Sequence, residues 1–167
     1  MSLPAQSKDW VDYLVALTPI CVAAFVAYIG YRQSRYSKEK LRLDLYGKRF
    51  SVYERVLVFY QAVASYNGSR TEPFDAKLND FSTAVKESQF LFAAESNIFK
   101  TLLTMHAQAF QIIGFKENGK AVFDSGDHVT FSKMNTDMQD ALTGIAFQID
   151  VVEKAMGPYL NFHKIVA

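Results

Sequence analysis

An uncharged run over residues 13–31, YLVALTPICVAAFVAYIGY, constrains the fold of this 167-residue chain more than any other feature. At about 1.5 Å per residue, a helix of this length extends about 28 Å, which is close to the hydrocarbon thickness of a bilayer. Trp10 and Tyr13 stand at one end of the run, and Tyr28 and Tyr31 stand at the other, as aromatic anchors at two membrane interfaces do. We therefore predict a transmembrane helix over residues 13–31.

Two other interpretations fit the same run less well. The first is a buried helix of a soluble core, but such helices seldom continue this far without a charge. The second is a cleavable signal peptide, which needs a basic segment before the apolar run. Here Lys8, Asp9 and Asp12 precede the run, and Arg32 follows it without a small-residue cleavage site. We therefore expect a permanent span.

The charges that flank the run predict its orientation. Residues 32–49 contain seven Lys or Arg and two acids, whereas one lysine precedes the span. Basic flanks stay in the cytoplasm, so residues 1–12 form a short tail outside and the C-terminal part lies inside. The chain carries a net charge of +1, and residues 50–167 are net acidic, which disfavours nucleic acid as a partner. We predict membrane lipids as the partner, with headgroup contacts from Arg32, Arg35, Lys38 and Lys40.

Small residues recur on one side of the predicted span. They are Ala16, Ala23, Ala27 and Gly30, at helical spacing. Small side chains let helix backbones approach closely, which is the usual route to helix association in lipid. We therefore predict that this face supports a homo-oligomer.

The rest of the chain shows helical periodicity and no proline between Pro19 and Pro73. We predict an all-α fold in which the transmembrane helix continues into the first helix of a four-helix cytoplasmic bundle. The predicted domains are the tail 1–12, the span 13–31, a basic juxtamembrane helix 32–49 and a helical domain 50–167. Half of the residues are hydrophobic, so the domain can bury a core.

The second helix of the bundle is expected over residues 74–92, with its apolar stripe at Phe74, Leu78, Phe81, Val85 and Phe92. The third helix is expected over residues 96–115, with its core stripe at Phe99, Leu103, His106, Phe110 and Ile113. Glycines and loop-forming residues then predict a loop, or a short hairpin, over residues 116–129. The last helix is expected from Ser132 until Gly157-Pro158 stops it. Its apolar stripe is expected at Met134, Met138, Leu142, Ile145, Ile149, Val152 and Met156.

No catalytic or metal-binding motif is present in the sequence, and Cys21 is the only cysteine. His106 lies on an apolar stripe. Small helical ribonucleases pair a histidine with an arginine four to seven residues before it, and His106 has no such arginine. Lys100 is the nearest basic residue, and lysine binds phosphate less well because it lacks the planar, bidentate guanidinium. His128, near Asp124 and Asp127, is expected to be part of a solvated loop rather than a metal site. We therefore predict no enzyme activity, no cofactor and no metal.

Three segments resemble a recurring signature of small bacterial single-pass membrane proteins. They are KLRLDLYGKRFSVY at residues 40–53, QFLF at 89–92 and GPYLNF at 157–162. In size and layout the chain is also similar to the membrane accessory protein of one RNA-targeting CRISPR type. That protein has one N-terminal span, a helical cytoplasmic domain related to a degenerate nuclease, and a ring-like pore as its assembly.

The resemblance implies a bacterial inner-membrane protein that assembles with itself and forms or gates a pore as an accessory of antiphage defence. Two alternatives stay open at this point. One is a membrane-anchored scaffold whose helical domain binds a cytoplasmic protein partner. The other is a divergent nuclease-like enzyme.

Overall fold

A computed structural model describes residues 10–161, apart from the side chains of residues 10–12, 14 and 16. The chain divides into two compact units, Met1–Leu43 and Asp44–Ala167, and each is described by itself. In the described part of the chain the regular structure is helical throughout, so the predicted all-α class is confirmed.

The first helix, α1, extends over Trp10–Ala64 and has 55 residues, with Pro19 and Gly47 inside it. The predicted continuity between the apolar run and the first bundle helix is therefore confirmed. No helix among the described residues combines the length and the apolar character that a membrane crossing requires. The predicted span at residues 13–31 is therefore not confirmed.

Three further helices complete the second unit: α2 (Glu72–Leu91), α3 (Ile98–Asp124) and α4 (His128–Leu160). A single 3₁₀ turn, Ala94–Ser96, separates α2 from α3. Asn97 precedes α3 in a left-handed conformation and makes no side-chain capping bond. The predicted set of four helices is confirmed.

The predicted loop over residues 116–129 is wrong. Helix α3 continues through Gly119 to Asp124, because lysines, a glutamate and an alanine in this stretch are good helix formers. The turn itself occupies only Ser125–Asp127: Gly126 supplies a positive φ of 82°, and the Asp127 carboxylate accepts the Thr130 N–H at 3.0 Å to begin α4. The last helix also passes Pro158 and ends at Leu160, two residues beyond the predicted stop.

The main core lies among the four helices of the second unit. From α1, the fully buried side chains are Val52, Val56, Phe59 and Val63, and the Phe59 ring stacks on Phe81 of α2 with centroids 4.0 Å apart. The predicted α2 stripe is buried throughout: Phe74, Leu78, Phe81, Val85 and Phe92. Most of the predicted α4 stripe is buried too, including Met138, Ile145, Val152 and Met156.

The predicted core stripe of α3 is wrong by one position, except at Ile113. The side chains buried in the main core are Ile98, Leu102, Met105, Ala109 and Ile112, whereas Ile113 is buried in a second cluster with Ala62, Tyr66 and Phe74. By contrast Leu103 and Phe110 are exposed, and Phe99 and His106 are half-buried. Helix α3 carries two adjacent apolar stripes, and α4 packs against the one with the smaller side chains; periodicity alone could not choose between them.

Candidate membrane-contact surface and a three-helix junction

Apolar side chains are exposed along α1 throughout the predicted span. Their exposed fractions range from 39% at Ile29 to 67% at Ile20. Successive helix positions are offset by about 100°, so exposed apolar side chains at Val15, Leu17, Ile20, Val22, Phe25, Val26 and Ile29 surround the helix rather than form one stripe. A helix that is apolar on all sides needs an apolar environment on all sides. We call residues 15–31 the apolar collar.

The small-residue face lies within this collar. Ala23, Ala27 and Gly30 are exposed, and their spacing of four and three places them on one side of α1. A Cβ placed on Gly30 would meet no atom within 4 Å. Ala16, the fourth predicted member, has its side chain outside the described set. The face is therefore open in a single copy of the chain.

The basic residues predicted to meet lipid headgroups are exposed, but they differ in their surroundings. Arg32 lies between two tyrosines one turn away on either side: its Cζ is 5.9 Å from the Tyr28 ring centroid and 5.6 Å from that of Tyr36. Arg32 Nη2 also donates to the Tyr36 hydroxyl at 2.9 Å. Arg35 instead forms a long ion pair with Glu39 at 3.9 Å. Lys38 and Lys40 are exposed on the same helix.

In the second unit, a junction around Arg49 brings together three segments that are far apart in sequence. Arg49 Nε donates to the Leu91 carbonyl at 2.9 Å. Its guanidinium lies 4.9 Å from the Tyr159 ring centroid and 5.9 Å from that of Phe92, and those two rings meet edge to face at 5.3 Å. These contacts join α1 to the ends of α2 and α4. Each of the three segments that carry the family resemblance contributes a residue here, a role that sequence reasoning missed.

Two further polar contacts fasten α1 within the second unit. The Tyr53 hydroxyl donates to Glu153 Oε1 of α4 at 2.6 Å, and this hydrogen bond raises the Tyr53 pKa. Arg55 Nη1 pairs with Glu87 Oε2 of α2 at 3.0 Å. Arg49 and Tyr53 both lie in segment 40–53, and both contribute to the packing of α1 in the second unit.

A second network holds the connection between α1 and α2 against α3. Glu117 Oε1 accepts from the Tyr66 hydroxyl at 2.6 Å and from Arg70 Nε at 2.8 Å. These hydrogen bonds lower the pKa of Glu117, while burial and the same carboxylate raise the pKa of Tyr66 to about 12. Lys116 Nζ donates to the Tyr66 carbonyl at 2.6 Å. Gly68, with φ 93°, passes so close to the Lys116 carbonyl that a Cβ would lie 2.6 Å from it.

The histidines that could have supported chemistry have ordinary surroundings. His106 Nε2 lies 3.3 Å from Ser82 Oγ, and its ring packs on Phe81 and Phe110; burial lowers its pKa. His128 is the first residue of α4 and meets the Phe123 ring edge to face. Among the described residues, no group of three His, Cys, Asp or Glu side chains is arranged to hold a metal ion.

A shallow groove follows the unburied stripe of α3. Phe99, Leu103 and His106 line one side of it. Residues of α2, among them Ser82, Lys86 and Gln89, line the other side, and the cavity measures about 190 Å³. Its walls mix apolar rings with amide, hydroxyl and ammonium groups, which suits a peptide segment better than a reacting centre.

No known protein family, curated protein or solved structure is significantly similar to this chain.

Proposed function

We propose that the chain is a membrane-anchored helical protein that assembles with copies of itself and forms or gates a membrane pore. The observation that carries the proposal is the apolar collar, whose side chains are exposed around α1 over residues 15–31. Exposed apolar surface on this scale is costly in water and is stabilised in lipid, at about 25 cal/mol per Å² removed from water. The complete sequence run 13–31 contains no charged residue.

The charges beside the collar support an orientation for the anchor. Arg32, Arg35, Lys38 and Lys40 follow it within ten residues and are exposed. Basic residues are retained on the cytoplasmic side of bacterial inner membranes and attract anionic headgroups. The proposed topology therefore places the N-terminus outside and the helical unit in the cytoplasm. A reporter enzyme fused after Ala167 tests it: cytoplasmic activity supports this topology, and periplasmic activity contradicts it.

Self-assembly is supported by the open small-residue face. Ala23, Ala27 and Gly30 allow a second α1 to approach closely in lipid, where helix packing replaces the hydrophobic effect as the driving force. Thr18, Cys21 and Tyr28 are the polar side chains of the run between Tyr13 and Tyr31. A pore lined by this helix is therefore mostly apolar and would gate by dewetting. On the resemblance noted in the sequence, we propose that such an assembly acts in antiphage defence.

The test replaces Ala23 and Ala27 with Leu in the full chain. Both substitutions keep the helix apolar but push neighbouring backbones apart, so we expect the oligomer mass in mild detergent to fall while membrane insertion persists. Any dye leakage from vesicles should fall with it. The control, Leu17→Ile with Val22→Leu, changes apolar side chains without enlarging the small face and should leave the mass unchanged. An unaltered chain that is monomeric at micromolar concentration contradicts both assembly and the pore.

A second function, an anchored scaffold for a cytoplasmic protein, is favoured by the groove between α2 and α3. Leu103 and Phe110 leave apolar surface exposed beside His106, where an amphipathic helix of a partner could bind. A monomeric chain that still attaches to membranes would favour this function over the pore. Replacing Leu103 with Glu should then abolish partner binding and leave membrane attachment unchanged.

A further inference from the structure

Arg32 differs from the other basic residues near the collar because its side chain is held in position. Tyr28 precedes it by four residues and Tyr36 follows it by four, so the three side chains lie along one line of α1. The guanidinium is within 6 Å of both ring centroids, a cation–π distance, and one of its donors is bound by the Tyr36 hydroxyl. Guanidinium has five N–H donors, so four remain for a ligand.

The same side of α1 has a shallow, open depression between largely apolar side chains, nearer the N-terminus, which we call the apolar hollow. It is lined by Leu17, Thr18, Cys21, Val22 and Phe25. Counting about 100° per residue, Cys21 and Phe25 lie within about 20° of Arg32 around the helix axis. The near edge of the hollow, at Phe25, is seven residues from Arg32, which is about 10 Å along the axis. A charged clamp and an apolar hollow are therefore arranged in line.

We propose that this side of α1 binds one anionic phospholipid, with its phosphate on the Arg32 clamp and an acyl chain along the hollow. The proposal rests on the proposed membrane attachment and adds a specific ligand class to it. Arginine binds phosphate through a planar fork, and the two tyrosine rings hold that fork in place before the lipid arrives. Arg35 is less suited to this role, because its side chain is paired with Glu39. Lys38 and Lys40 carry compact ammonium charges and cannot bind a phosphate through two parallel hydrogen bonds as a planar guanidinium does.

The test measures lipid retained by the detergent-solubilised full chain, by native mass spectrometry. The lipids are dioleoylphosphatidylglycerol and, as the phosphate-free match with the same acyl chains, dioleoylglycerol. We expect the chain to retain the phosphatidylglycerol in preference. Arg32→Lys keeps the charge but removes the fork, so its affinity should fall about tenfold, as loss of a charged hydrogen bond predicts. Arg42→Lys makes the same exchange ten residues further along α1, outside the predicted headgroup contacts, and is the matched control that should bind as the unaltered chain does.

A second pair of variants tests the hollow. Cys21→Phe fills it and should lower phosphatidylglycerol retention, whereas Ala24→Phe adds the same ring about 100° from Phe25 and should not. Displacement of the lipid by inorganic phosphate at millimolar concentration would show a free-phosphate site and overturn the proposal. Unchanged binding by Arg32→Lys would overturn it as well, since it indicates charge attraction alone. Equal losses in Arg32→Lys and Arg42→Lys would also overturn it, because they show that Arg32 is not distinguished from another arginine of α1. Vesicle flotation of the unaltered chain tests the proposed function separately.

Discussion

Helix α1 carries phenylalanines in both units of the molecule, and their surroundings are opposite. Phe25, in the first unit, is 64% exposed, whereas Phe59, in the second, is fully buried against Phe81. Both belong to sequence that is rich in apolar residues. In the second unit the apolar side chains of α1 pack in a core shared with α2, α3 and α4, whereas the apolar side chains described in the first unit are exposed. We propose lipid and a second α1 as the partners of these exposed side chains.

The largest expected effect is a difference in stability between variants of these two phenylalanines. Phe59→Ala removes a ring from a close-packed core and should lower the free energy of unfolding by about 3–5 kcal/mol. Phe25→Ala should change it by less than about 0.5 kcal/mol, because no folded neighbour loses a contact. Chemical denaturation, followed by circular dichroism in detergent, measures both. A Phe25→Ala variant as unstable as Phe59→Ala would show that the collar is packed within the chain.

The next effect concerns the Arg49 junction. Arg49→Lys keeps a positive charge but loses the Nε bond to the Leu91 carbonyl and the planar contact with Tyr159, so unfolding should become easier by about 1–2 kcal/mol. Its neighbour Lys48 is exposed, and Lys48→Ala should have almost no effect. The same denaturation curves compare the two variants. Equal midpoints would mean that the junction contributes nothing to holding α1 in the second unit.

A smaller effect on stability, of opposite sign, is expected from a substitution at the interface between α3 and α4. The Gln108 Oε1 atom is buried there without a hydrogen-bond partner, and its amide occupies the space beside Gly144. Gln108→Met keeps the unbranched shape and removes the unpaired acceptor, so stability should rise by about 1 kcal/mol. Gln111→Met, on the exposed side of the same helix, is the control and should be neutral. A destabilised Gln108→Met variant would contradict this account of the interface.

The smallest effect is a dependence on pH through Glu117. Its pKa is lower in the folded chain than in the unfolded one, so its contribution is present above the unfolded value and is lost as pH falls through the folded value. Thermal melting should therefore occur at lower temperature on acidification, and Glu117→Gln should flatten that dependence. Tyr66 acts in the opposite direction: its pKa is raised to about 12, so its contribution is lost as pH rises from about 10 towards 12. If acidification lowers the melting temperature of Glu117→Gln as much as that of the unaltered chain, other carboxylates cause the acid sensitivity.

The sequence was informative where one periodicity dominated and misleading where two competed. The α2 stripe from Phe74 to Phe92 and the continuity of α1 were predictable because a single apolar face and the absence of proline left one solution. In α3, Leu102 and Leu103 belong to two neighbouring stripes of similar apolar character, and only packing with α4 selects the first. Gly119 was interpreted as a loop former, whereas it lies buried inside α3.

The candidate site was predictable in part for the same reason. Local spacing identifies Ala23, Ala27, Gly30 and the basic residues, because they lie within a few helical turns of one another. The spacing of four between Tyr28, Arg32 and Tyr36 was also visible in the sequence and was the signal for the clamp. The Arg49 junction could not be derived in this way, because it joins positions that are 42 residues apart along the chain in the case of Leu91, and more for Tyr159. Such contacts depend on the tertiary arrangement of the bundle.

Flotation of the full chain with phosphatidylglycerol-containing vesicles, after an alkaline wash, tests the central claim that lipid covers the apolar collar. The account predicts that the unaltered chain floats with the vesicles. It also predicts that Val22→Arg, which places a charge within the collar at a cost of about 2.5–3.5 kcal/mol, shifts partitioning about a hundredfold towards the aqueous fraction. Val22→Leu should float like the unaltered chain. An unaltered chain that stays in the aqueous fraction, or a Val22→Arg variant that floats equally well, would contradict the claim.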